Sequence, residues 1–91
     1  MSAAPLTKQV VIRDTMGLHA RTAAKFSRCA AQFNATVLVK KDEKTAPADS
    51  ILDLMMLMAS CGTTLELQAE GPEALEALET LISLVNNNFK E

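Results

Sequence analysis

The chain holds one histidine, His19, inside the run Gly17-Leu18-His19-Ala20-Arg21-Thr22. A strand-like stretch ends before this run, and good helix formers follow it. An imidazole at such a junction faces the free N–H groups and the positive dipole end of the helix. Together these make an anion site. A neutral imidazole nitrogen is also a nucleophile, and a helix N-terminus disfavours the competing imidazolium. Arg21, two residues on, offers a planar fork of donors that suits phosphate oxygens. These residue types in this order point to a histidine that accepts a phosphoryl group and hands it on. A His-x-Arg pair at a helix start also occurs as a plain cap beside a solvated arginine. The elements around it must therefore decide.

Thr7 to Arg13 carries Val10, Val11 and Ile12 and reads as a strand, with Val10 and Ile12 facing inward. Asp14 to Leu18 reads as a turn. Ala20 to Phe33 reads as a helix, with Ala23, Phe26, Ala30 and Phe33 at helical spacing and Asn34 as a left-handed stop. Thr36 to Val39 is a second strand, and Lys40 to Glu43 a turn. Lys44 to Ala46 is a short edge strand, limited by Pro47. Ser50 to Ala59 reads as a second helix, with Ser50-x-x-Asp53 resembling a capping box. Thr64 to Ala69 alternates as a fourth strand, leaving Glu66 and Gln68 opposite Leu65 and Leu67. Pro72 to Asn87 is a third helix, with an apolar stripe of Leu75, Leu78, Ile82 and Val85. The order βαββαβα, with apolar helix faces and alternating strands, predicts a two-layer α+β domain: an antiparallel sheet with three helices on one side.

The second helix is apolar nearly all round, through Ile51, Leu52, Leu54, Met55, Met56, Leu57 and Met58. A core of this size cannot take every face of it. Part of it is expected outside, as a surface for a partner.

At 91 residues the chain has room for one domain, assigned to residues 1–91 with 1–6 as a loose extension. The net charge is −2, with no Trp, no Tyr and no basic stripe, which excludes nucleic acid as an expected partner. Cys29 and Cys61 lack metal-like spacing and read as reduced thiols; with one histidine they make no zinc site. No metal and no cofactor is expected. Residues 1–5 have neither the charged nor the apolar region of a signal peptide. The stretch from Ile51 to Ala59 is too short to span a bilayer. A cytoplasmic monomer without membrane insertion is expected.

The chain resembles the HPr family of bacterial phosphocarriers over nearly its whole length. Gly17-Leu18-His19-Ala20-Arg21 matches the family's phosphorylation motif. Asp49-Ser50-Ile51-Leu52 with Leu54-Met55-Met56-Leu57 resembles its regulatory-serine helix, and Glu70-Gly71-Pro72 resembles the opening of its last helix. The resemblance implies an open-faced β-sandwich with strand order 1-4-2-3. It implies phosphate from phosphoenolpyruvate, delivered by Enzyme I to Nδ1 of His19 and passed to a IIA component in sugar uptake and its regulation. Arg21 would clamp the phosphoryl group, with the backbone N–H groups of Ala20 and Arg21 stabilising its oxygens. Ser50 would be a phosphosite for a serine kinase. Ile51, Leu52, Met55 and Met56 would contact Enzyme I and IIA. Two departures stand out: Thr22 where the family usually has Pro, and Asp53 in the serine helix. Together with the Met55-Met56-Leu57 run they lean toward the family's nitrogen-related regulatory branch. A small α+β binding module that uses the second helix without phosphotransfer is the reading from another class.

Overall fold

The computed structural model describes residues 4–90. Seven elements follow one another: β1 (Leu6–Val11), α1 (Ala20–Ala30), β2 (Thr36–Lys41), β3 (Lys44–Pro47), α2 (Ile51–Met56), β4 (Thr64–Glu70) and α3 (Ala74–Asn86). The strands form one sheet in the order β1-β4-β2-β3, antiparallel throughout. The expected α+β open sandwich is the observed fold.

Register explains which face is covered. Val10 pairs with Leu65, Leu67 with Val39, Val39 with Ala46, and Ala69 with Val37. Paired residues point to one side of a sheet, and all of these are buried. The helices pack on that side, where Phe26, Leu54, Leu78, Leu81 and Val85 complete the core. The opposite face carries Gln9, Glu66, Gln68 and Lys40; Lys40 Nζ lies 4.0 Å from Glu66 Oε2.

Element ends differ from the sequence reading for local reasons. Leu6 belongs to β1, paired with Ala69, and not to a loose extension; residues 1–3 lie outside the described residues. β1 stops at Val11, yet Ile12 stays buried and bonds Thr63 O and Gly62 N. β2 continues through Lys40 and Lys41, which pair with Thr45 and Lys44; the tight reversal falls at Asp42, at φ 54°. β3 includes Pro47. α1 ends at Ala30, and Phe33 packs against the core from the following turn. Asn34 is not left-handed; its N–H donates to Glu73 Oε1 at 2.7 Å and its carbonyl accepts from Glu73 N, tying this turn to the start of α3. α3 begins at Ala74 after an N-cap at Glu73. Its buried face is Ala74, Ala77, Leu78, Leu81 and Val85, while Leu75 is exposed. Periodicity fits either rotation of this helix; the small Ala74 and Ala77 are the residues that let it sit close to the sheet.

The largest departure matters for the site. α2 is one short segment ending at Met56, not a helix to Ala59. Met58 turns left-handed, at φ 55°, and Lys41 Nζ caps the end by donating to the carbonyls of Leu57 (3.1 Å) and Met58 (3.2 Å). The freed segment buries Ala59 and turns its carbonyl toward the loop before α1.

Leu54 is fully buried and Met56 mostly exposed on the same helix. Leu54→Ala is expected to lose about 2–5 kcal/mol of stability, and Met56→Ala to stay within about 0.5 kcal/mol. Denaturant titration checks the pair; equal losses would contradict the placement of α2.

Candidate functional site

The loop that presents His19 is built by backbone hydrogen bonds. Asp14 O accepts from Gly17 N and Asp14 Oδ1 from Met16 N, both at 2.9 Å. Gly17 stands at φ 75° with Ala59 O against its α-carbon, so a side chain here would collide with backbone. Leu18 is buried, and its N–H donates to Ala59 O at 2.8 Å. The loop is thus pinned to the segment that follows α2.

His19 is the N-cap of α1, with extended backbone (φ −117°, ψ −171°). Its Nδ1 accepts from Arg21 N at 3.3 Å. Its own N–H donates to Thr22 Oγ1 at 2.9 Å, and Thr22 Oγ1 donates to Gly17 O at 3.0 Å. A ring nitrogen that accepts from a backbone N–H carries the lone pair, so the neutral imidazole holds its proton on Nε2. Nε2 is buried, has no hydrogen-bond partner among the described residues, and lies 3.8 Å from Asp14 Oδ1. Nδ1 therefore presents the lone pair of the neutral ring, at the helix N-terminus where anions are stabilised.

Arg21 is exposed, and its Nη2 lies 3.8 Å from Asp14 Oδ2. The Arg21–Asp14 distance suits an ion pair, and both distances to Asp14 are too long for hydrogen bonds. Asp14 thus faces His19 and Arg21 together, a role the sequence analysis did not give it beyond the start of a turn. The available signal was Asp14-x-x-Gly17, a turn with an acidic first residue directly before the motif.

Ser50 caps α2, its Oγ accepting from Asp53 N at 3.2 Å. Beyond it Ile51, Leu52, Met55 and Met56 are exposed, with Leu52 at 66% and Met56 at 62%, while Leu54 and Leu57 are buried. α2 packs against α1, so this apolar surface adjoins the helix that begins at His19. Two further methionines are exposed: Met58 (73%), from the apolar run expected to lie partly outside, and Met16 (75%), which the sequence did not single out. They sit on the two segments joined by the Leu18–Ala59 bond. Met16 lies in a turn outside any periodic element, so hydropathy patterning does not single it out.

Among the described residues no cluster of His, Cys, Asp and Glu suits a metal ion, and no helix is long and apolar enough to cross a membrane. Cys29 and Cys61 stand outside disulfides.

A motif histidine capping α1, on a 1-4-2-3 sheet with an apolar rim, has close parallels. The family model described as "PTS HPr component phosphorylation site" matches residues 6–87. Phosphocarrier protein HPr of Neisseria meningitidis serogroup B is 40% identical over 86 residues, spanning 94% of this chain and 97% of its own length. Phosphocarrier protein NPr of Escherichia coli K12 is 42% identical over 86 residues, spanning 92% of this chain and 96% of its own. The crystal structure of HPr-C-His from Thermoanaerobacter tengcongensis superimposes with a TM-score of 0.89 at 37% identity, over 94% of this chain and 97% of that one. With the family match covering most of its length, the chain belongs to the HPr family of phosphocarrier proteins of the phosphotransferase system.

Proposed function

We propose that this carrier takes a phosphoryl group from Enzyme I, charged by phosphoenolpyruvate, onto Nδ1 of His19, and passes it to a IIA component in the cytoplasm. Residues 1–91 act as one domain in this role. The observation that carries the reading is the Nδ1 lone pair held at the N-terminus of α1 beside Arg21.

The transfer draws on few parts. Nδ1 attacks the donor's phosphorus as the donor bond breaks. The contact from Arg21 N is long, so releasing it costs little, and the N–H groups of Ala20 and Arg21 turn to the phosphoryl oxygens. The Arg21 guanidinium moves from Asp14 to the same oxygens. Dipole terms of about 0.3–2 kcal/mol steady the phosphate without trapping it, which a relay requires. Ile51, Leu52, Met55 and Met56, with Met16 and Met58, dock Enzyme I and IIA in turn. Adaptable methionine side chains suit a face that meets several partners, and an apolar surround keeps water from the exposed phosphohistidine. Ser50, at the edge of this face, is the residue through which a serine kinase would act.

The acceptor of the sugar branch is the primary reading. The 42% identity to a protein named NPr favours a second, the nitrogen-related IIA. Timing transfer from the charged carrier to a IIA of each type separates them.

His19→Ala is expected to fold normally and take no phosphate from phosphoenolpyruvate and Enzyme I, by intact mass. The wild-type adduct is expected to be acid-labile and base-stable; an acid-stable adduct on a hydroxyl side chain would overturn the assignment. Arg21→Ala is expected to slow transfer while its stability stays within about 0.5 kcal/mol, the usual range for surface changes. Unchanged kinetics would leave Arg21 a solvated side chain. Leu52→Glu and Ser50→Asp are both expected to weaken Enzyme I binding with little change in melting. Wild-type binding by both would remove α2 from the docking face.

A further inference from the structure

We propose that the Thr22 hydroxyl is a positioning group for phosphoryl transfer, fixing the backbone of His19 so that Nδ1 presents its lone pair at the head of α1. The proposal deepens the phosphocarrier reading and rests on it.

Thr22 is the one buried polar residue among those described, at 0% exposure. A hydroxyl has one proton to donate and two lone pairs to accept with. Here it accepts from His19 N at 2.9 Å and donates to Gly17 O at 3.0 Å, with His19 O a second acceptor at 3.3 Å. A single buried group thus holds the chain immediately before the imidazole and at it.

The ring itself is held loosely. The Arg21 N to Nδ1 distance of 3.3 Å marks a weak bond. On the other edge Nε2 has no hydrogen-bond partner among the described residues, and Asp14 Oδ1 is 3.8 Å away. Neither contact is short enough to fix the ring orientation of this half-buried side chain by itself. The backbone of His19 must do so, and its extended ψ of −171° is what returns Nδ1 toward Arg21 N. On the helix side Ala23 N donates to His19 O at 2.7 Å, and the Thr22 hydroxyl is the side-chain group that holds His19 N and ties it to Gly17 O. Removing the hydroxyl strips His19 N and Gly17 O of a buried partner, and the local geometry relaxes to find others.

The test compares Thr22→Val, which keeps the shape and loses the hydroxyl, with Thr22→Ser, which keeps the hydroxyl. Long-range proton–nitrogen NMR of the unphosphorylated full chain at mildly alkaline pH reads the His19 tautomer. Wild type and Thr22→Ser are expected to show the proton on Nε2 alone, and Thr22→Val a mixture of both tautomers. Phosphorylation by phosphoenolpyruvate and Enzyme I is expected to lose about 10- to 100-fold in kcat for Thr22→Val, with KM for the carrier unchanged. Thr22→Ser is expected to restore the wild-type rate. Wild-type tautomer and rate in Thr22→Val would overturn the proposal. So would loss of either in Thr22→Ser, a comparison that stands even if the valine variant does not fold. If wild type takes no phosphate, the carrier reading falls and the proposal with it. If wild type is phosphorylated and Thr22→Val matches it, only the role of Thr22 falls.

Discussion

The approach of Gly17 to Ala59 is the constraint on which the rest of the site depends. A left-handed glycine presses its α-carbon against a backbone carbonyl, and the next N–H donates to that same carbonyl. Only a residue without Cβ permits this. The contact joins the loop that carries His19 to the segment leaving α2, two regions far apart along the chain. It also explains why α2 is short. Were the helix to run on through Ala59, that carbonyl would point along the helix axis, not toward Leu18. Met58 in the left-handed region and the cap from Lys41 release it at the right place.

From that anchor the chemistry follows by small terms. The loop sets His19 at the head of α1, and the helix supplies oriented N–H groups at little cost in reorganisation. The contacts that hold the reactive groups at rest are weak: a 3.3 Å bond to Nδ1 and 3.8 Å approaches to Asp14. Weak resting contacts suit a carrier, because the charged and uncharged states must lie close in free energy for phosphate to move on. The strong interactions lie one layer back, in the Thr22 hydrogen bonds and the Leu18–Ala59 bond. Rigid support behind loosely held reactive groups reconciles geometric definition with easy release.

Much of this was legible in the residues. The strands announced themselves through β-branched runs and alternation, and Val10, Val37, Val39, Leu65 and Leu67 are buried as their pattern required. The place of His19 and Arg21 at the head of α1 was legible, because a glycine turn followed by good helix formers marks a helix start. Ser50 was legible as a cap, since its side chain accepts from Asp53 N. Features set by distant parts of the chain were not. The end of α2 depends on Lys41 reaching across from β2, the rotation of α3 on two alanines against the sheet, and the role of Asn34 on Glu73. Asp14 was missed because its importance comes from folding back over a turn toward His19 and Arg21, which no periodicity encodes.

The central claim is that Nδ1 of His19 is the atom that carries phosphate. Nitrogen NMR of the chain labelled in its histidine and charged by phosphoenolpyruvate and Enzyme I tests it most directly. The account predicts that the phosphorylated nitrogen is Nδ1, that Nε2 carries no phosphate, and that the Arg21 amide proton signal moves as it turns to a phosphoryl oxygen. Phosphate on Nε2, or on any residue other than His19, would contradict it.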